Sequence, residues 1–132
     1  MSAKQYLSEG KKLVDEAIAR FLPGEDTFPG SIHQSMRYSV LAGGKRLRSI
    51  LLMAAAEALG GNRQAVLPFA VAAEFVHTYT LIHDDLPALD NDSFRRGKPT
   101  NHKVFGEAIA ILAGDGLLTL IFFISMAVLV KN

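Results

Sequence analysis

Leu81-Ile-His-Asp-Asp-Leu-Pro-Ala-Leu-Asp-Asn-Asp-Ser-Phe-Arg-Arg-Gly97 is the stretch on which the reading of this chain turns. It sets Asp84, Asp85, Asp90 and Asp92 a few positions ahead of Arg95 and Arg96. A carboxylate cluster beside a guanidinium pair suits a metal-bridged polyphosphate. Hard oxygen ligands hold Mg²⁺, which keeps several waters and is completed by substrate phosphates. Arginine forks then grip the phosphate oxygens. The ordinary alternative is a solvated acidic turn followed by basic surface residues.

Upstream, Val66 to Ile82 carries few charges and reads as a helix buried nearly all round, as does Ile50 to Leu59. His77 and Asp84 are seven residues apart. Seven steps of about 100° return them to nearly the same helix face. Asp84 and Asp90 are six steps apart, and on an unbroken helix they would diverge by roughly 120°. Pro87 offers the way out. It cannot donate to the carbonyl of His83, so the helix bends or ends there. Asp84 and Asp85 then fall on the last regular turn and Asp90 on a distorted extension. His77 has an equally ordinary reading as a satisfied core histidine.

A second basic element is Gly43-Gly-Lys-Arg-Leu-Arg48. The glycines let the backbone turn and come close. Lys45 and Arg48 become i, i+3 neighbours as a helix from about Lys45 to Leu59 begins, and the helix N-terminus adds partial positive charge. The result is a candidate diphosphate cradle. It lacks the glycine spacing of a Walker A loop, and taken alone it is an ordinary basic first turn. Downstream, Asn91 to Thr100 reads as a polar loop, and a final helix starts near Asn101 as N-cap. Asp115 stands in an otherwise apolar helix, where a buried carboxylate needs a partner; a capping or hydrogen-bonding role fits it better than a metal role.

The remainder is helical too. Tyr6, Leu7, Leu13, Val14, Ile18, Phe21 and Leu22 recur at helical spacing and Pro23-Gly24 stops them. Ile32, Met36 and Val40 mark a second helix, ended by Gly43-Gly44. Nothing alternates at period two. The expected fold is an all-α helical bundle, a single domain over residues 1–132. Fourteen Lys and Arg against 13 Asp and Glu give no electrostatic case for nucleic-acid binding. There is no cysteine, which excludes disulfides and thiolate metal sites. The first ten residues lack the apolar core of a signal peptide, so a cytoplasmic location is expected. An apolar share of 49% is high for so short a chain. It suggests a dimer interface or a larger parent protein.

Together these residues occur in one order: Gly44-Lys-Arg-Leu-Arg48, His77, Asp84-Asp-Leu-Pro-Ala-Leu-Asp90, Arg95-Arg-Gly-Lys-Pro-Thr100, His102-Lys-Val-Phe-Gly106 and Gly114-Asp115. From about Met1 to Leu120 the chain resembles the trans-prenyl diphosphate synthases, most closely the bacterial short-chain branch that forms farnesyl diphosphate. The resemblance implies the helical bundle of the isoprenoid synthase fold and Mg²⁺-dependent prenyl transfer in isoprenoid biosynthesis. An allylic diphosphate, dimethylallyl or geranyl, loses pyrophosphate, and the double bond of isopentenyl diphosphate attacks the cation. It assigns Asp84, Asp85 and Asp90 to Mg²⁺ and the allylic diphosphate, and Arg95 to that same diphosphate. It assigns Lys45, Arg48, His77 and Arg96 to isopentenyl diphosphate. Tyr79, five places before the first aspartate, helps set product length. Full-length members of the family form homodimers.

The match also breaks. The family bundle is roughly twice this length and carries a second aspartate-rich motif that this sequence lacks. Residues 121–132 are expected to depart from the family pattern, with no charged residue from Ile121 to Val130. The expectation is an N-terminal half of the fold with half an active site and little turnover alone. One alternative is a non-catalytic binding or regulatory subunit of a full-length synthase. Another is a membrane peptide, since Ala108 to Val130 is long enough to span a bilayer; the family match running into that segment weighs against it. A third, a terpene cyclase, would not need Lys45, Arg48 and His77 together.

Overall fold

The computed structural model describes residues 1–131. Six helices and a minimal hairpin follow in order: α1 Ala3–Phe21, α2 Gly30–Val40, α3 Leu47–Ala58, α4 Arg63–Asp84, β1 Phe94–Arg95, β2 Lys98–Pro99, α5 Asn101–Phe105 and α6 Glu107–Lys131. The all-α expectation holds, with one small departure: the loop from Asn91 to Thr100 contains the two-residue strands β1 and β2.

Local chemistry explains where the elements begin and end. α1 opens on a capping box, in which Gln5 N donates to Ser2 Oγ at 3.2 Å and Ser2 N donates to Gln5 Oε1 at 2.8 Å. Its buried residues Gly10, Val14, Ala17 and Ile18 lie along one stripe. It ends at Leu22, whose extended backbone is what a following proline requires. α3 starts at Leu47, later than expected, because Arg46 sits at φ 54 and ψ 28, outside helical geometry. Lys45 therefore precedes the helix. The final helix is two helices, α5 and α6, parted by Gly106 at φ 87, a conformation that glycine adopts without steric cost. Thr100, not Asn101, occupies the N-cap position of α5. Nor are α3 and α4 buried all round: Leu51 on α3 is 59% exposed and Val76 on α4 is 41% exposed.

Contacts divide the chain into two compact units, with boundaries inside α4 and α6. The first comprises Met1–Leu22, Gly44–Glu74 and the chain from Phe122. Here α1 lies on α3 at Gly10, where an added Cβ would stand 3.0 Å from Ile50 Cγ1. A polar network ties α1, the turn before α3, α3 itself and α4. Arg46 Nε donates to Asp15 Oδ1 at 2.8 Å, and Ser49 Oγ stands 2.7 Å from the Ala70 carbonyl and 2.9 Å from Glu74 Oε1. Desolvation pushes the Asp15 carboxyl up, but hydrogen bonds from Lys11 and Arg46 outweigh it and hold it below its ordinary 3.8.

The second unit comprises Pro23–Gly43 and Phe75–Ile121. Asn101 clamps α5 to α2: its Nδ2 donates to the Ser35 carbonyl at 2.9 Å and to Ser39 Oγ at 2.8 Å, and Ser35 Oγ donates to its Oδ1 at 2.6 Å. Asn101 is 3% exposed, so this satisfaction is obligatory rather than decorative. α6 meets α4 at Gly114, where a Cβ would fall 2.1 Å from His83 Nε2. That nitrogen also lies 3.0 Å from the carbonyl of Ile111. Asp115 is exposed, not buried as expected, and its carboxylate stands 3.9 Å from the same imidazole.

Two outcomes follow for stability. Gly114→Ala must expel the His83 ring, an overpacking cost of about 1–3 kcal/mol. This exceeds the helix-propensity gain of up to ~1 kcal/mol, so urea titration will show a lower midpoint. For Asp15, a depressed carboxyl contributes stability above its unfolded value and loses it as pH falls through the folded one. Asp15→Asn will therefore lower the thermal midpoint at neutral pH, and the difference will shrink as pH drops below 3.8.

Candidate functional site

The acidic segment is shaped by what happens after Asp84, the last residue of α4. Pro87 cannot serve the His83 carbonyl, and Leu86 N serves it instead at 3.1 Å. The chain then folds back. Asp90 N donates to the Asp84 carbonyl at 2.8 Å and Asp92 N to the Asp85 carbonyl at 3.1 Å. This turn brings Asp90 beside Asp84, as the distorted extension expected from Pro87 required. Asp84 and Asp90 are both exposed.

Asp85 behaves differently. It is 3% exposed, and both its oxygens are taken by one guanidinium, with Arg95 Nε at 2.9 Å and Nη2 at 2.7 Å. The hydrogen bond to Asp85 raises Arg95 above its ordinary value despite desolvation, and the fields of Asp85, Asp92 and Asp84 add to the effect. The assigned metal ligand and the assigned phosphate contact are thus paired with each other. The physical reason is burial: a carboxylate removed from water needs a cation, and the Arg95 fork matches it bidentately.

The hairpin positions both arginines. Phe94 pairs with Pro99 and Arg95 with Lys98, and Arg96-Gly97 makes the turn. Arg96 at φ 52 and Gly97 at φ 75 give the positive values that match the twist of a two-residue hairpin. Arg96 Nη1 donates to the carbonyl of Gly43. At the far end, Thr100 N donates to the Ser93 carbonyl at 3.0 Å and its Oγ1 to the Asp92 carbonyl at 2.8 Å. The loop is tied on both sides.

His77 and Tyr79 lie half-buried on α4 in the same unit. The Tyr79 ring meets His83 edge-on, with centroids 5.8 Å apart. Lys45 and Arg48 belong to the first unit, where both are exposed. Between them Arg46 is buried, though nothing in its spacing marks it in the sequence. His83, directly before Asp84 in the chain, packs against Tyr79 and Gly114.

Among the described residues, no group of three or more carboxylate, imidazole or thiol side chains converges as a metal cage would. The chemistry of the donors still suits Mg²⁺, which binds through one or two carboxylates and completes its shell with water and phosphate. Asp84 and Asp90 remain as exposed hard-oxygen donors on one turn. Two such carboxylates fit a metal whose shell is completed by water and phosphate.

The profile of the polyprenyl synthetase family matches residues 29–131. Farnesyl diphosphate synthase of Geobacillus stearothermophilus is 54% identical over 92% of this chain and 41% of its own length. The large subunit 1 of a heterodimeric chloroplastic geranylgeranyl pyrophosphate synthase from Arabidopsis thaliana is 53% identical over 89% of the chain and 31% of its own. Among solved structures, an FPP/GFPP synthase from Zymomonas mobilis superposes with a TM-score of 0.86 at 41% identity, covering 92% of this chain and 44% of that one. The chain spans about four-tenths of the length of such relatives or less. With the acidic turn, the arginine hairpin and the helical framework all in place, the chain belongs to the polyprenyl synthetase family.

Proposed function

We propose that this chain carries the front part of the site of a Mg²⁺-dependent prenyltransferase, which joins isopentenyl diphosphate to dimethylallyl or geranyl diphosphate to give farnesyl diphosphate. On this reading residues 1–132 are the front portion of a single helical domain. The observation that carries the proposal is the division of labour on one turn. Buried Asp85 fixes the Arg95 fork with both its oxygens, while Asp84 and Asp90 stay exposed beside it. Fixed guanidinium and open carboxylate together suit a metal-bridged diphosphate.

Asp84 and Asp90 would hold Mg²⁺, which supplies charge to the departing diphosphate when bound. Asp85 holds Arg95 and so orients it toward the allylic diphosphate. Lys45, Arg48, His77 and Arg96 are proposed contacts of isopentenyl diphosphate. Tyr79 is proposed to limit chain length. The chain alone is proposed to bind substrate and turn it over poorly, because ionisation needs charge stabilisation from opposing groups in a closed pocket. Relatives include synthases named for farnesyl and for geranylgeranyl products, so the fifteen-carbon assignment rests on Tyr79.

Two further points bear on setting. α4 and α6 are both long and apolar enough to cross a membrane, with mean hydropathy 1.5 and 2.1. The family match continues through α6 to residue 131, which supports a bundle helix rather than a span. A cytoplasmic enzyme is the proposed setting. Phe122, Phe123, Met126, Leu129 and Val130 are each more than 60% exposed. They favour, as a second reading, a binding or regulatory subunit that associates with a full-length synthase or with its own kind. Sedimentation as a stable monomer would count against that reading.

Calorimetry tests the main proposal. Geranyl diphosphate is expected to bind in the presence of Mg²⁺, and Asp84→Asn with Asp90→Asn should abolish the metal-dependent part. Absence of any Mg²⁺-dependent uptake would refute it. Asp85→Asn should act twice. It leaves Arg95 partly buried without its counter-charge, which costs ~3–5 kcal/mol for a fully buried pair and less here, where Arg95 reaches solvent. It also weakens diphosphate binding through Arg95, visible in the same titration.

A further inference from the structure

The turn into α3 holds three basic residues with opposite fates. Lys45 and Arg48 are exposed, and no hydrogen bond or ion pair is formed by either among the described residues. Arg46 is 6% exposed and lies between two carboxylates, with Nε 2.8 Å from Asp15 Oδ1 on α1 and Nη1 3.5 Å from Glu74 Oε2 on α4. Glu74 is itself 4% exposed and has Ser49 Oγ at 2.9 Å. The backbone at Arg46 is left-handed, a region that residues with a side chain occupy only when their surroundings hold them there. Its own guanidinium is tied to α1 and α4.

The consequence falls on its neighbours. Arg46 precedes α3, its carbonyl accepts the first helical bond from Ile50 N at 3.0 Å, and no side chain caps the helix start. The amides of that first turn stay available, with Lys45 on one side and Arg48 on the other. We propose that Arg46 is a positioning residue for diphosphate binding. Its tether across Asp15 and Glu74 holds the left-handed turn that presents Lys45, Arg48 and the uncapped α3 amides as one anion-binding face. The inference rests on the assignment of Lys45 and Arg48 to isopentenyl diphosphate made above. Without the tether the turn is free to join the helix, and the cations lose their fixed spacing.

The test separates tether from backbone tolerance. Arg46→Gly combined with Glu74→Gln keeps the left-handed turn accessible and leaves no unpaired charge at position 74. Isopentenyl diphosphate is titrated calorimetrically into the unmodified chain, this double variant and Lys45→Ala, with circular dichroism and melting as controls of folding. The double variant should stay helical and bind at least ~10-fold more weakly, because a preorganised site has become a floppy one. Equal affinity in the folded double variant, with Lys45→Ala weakened, would overturn the tether and spare the assignment of Lys45. No uptake by the unmodified chain would overturn the assignment and the tether with it. Should the double variant fail to fold, Asp15→Ala cuts the shorter arm at a more exposed residue. A loss of roughly threefold supports the tether, and unchanged affinity overturns it.

Discussion

Burial of the Asp85 carboxylate is the constraint from which the geometry of the acidic turn follows. A carboxylate almost out of water cannot stand alone. Arg95 supplies the charge and, being planar and forked, fixes its own orientation in doing so. The hairpin that carries Arg95 is only two residues per strand, too short to persist by itself. The ion pair, the Arg96 contact with Gly43 and the Thr100 bonds to Ser93 and Asp92 therefore set its place. Asp84 and Asp90 have no such partner among the described residues and stay exposed.

Much of this was legible in the residues, and the reasons differ by element. The helices were readable because apolar positions recur with helical spacing and because Pro23, Pro87 and the glycines punctuate them. The fold-back at Pro87 was readable because a missing N–H has a definite consequence for one carbonyl. Misreadings cluster where distant parts of the chain decide the outcome. Asn101 looks like a helix cap and is instead a clamp for Ser35 and Ser39, some 62 to 66 residues away. Arg46 looks like one of three equal cations, and only its meeting with Asp15 and Glu74 sets it apart. Asp115 sits in an apolar run, which suggests burial, but one helical step turned it outward.

The apolar runs mislead in a related way. A helix rich in Leu, Phe and Ile on every side carries no periodic signal of which face is covered. In α6, Ala110, Ala113, Leu117 and Ile124 are buried, while Phe122, Phe123, Met126 and Leu129 are open. The four buried positions follow helical spacing, so one stripe is committed to packing. Elsewhere the helix carries apolar side chains that stand open to solvent. The relatives are more than twice as long and have chain enough to cover such faces.

That difference in length bears on chemistry as well as on packing. Two opposite unit charges about 4 Å apart attract by roughly 1 kcal/mol in water and about 4 kcal/mol where the effective dielectric constant is near 20. Asp84 and Asp90 are exposed, so any metal they gather acts through the weaker field. Enclosure would change the strength of the same residues without changing their identity. On the proposed function it would also keep water from the carbocation. On the proposed function, recognition of a diphosphate and cleavage of its carbon–oxygen bond make different demands on one turn. The first would need the donors that this stretch displays, and the second would need enclosure and charge set opposite them.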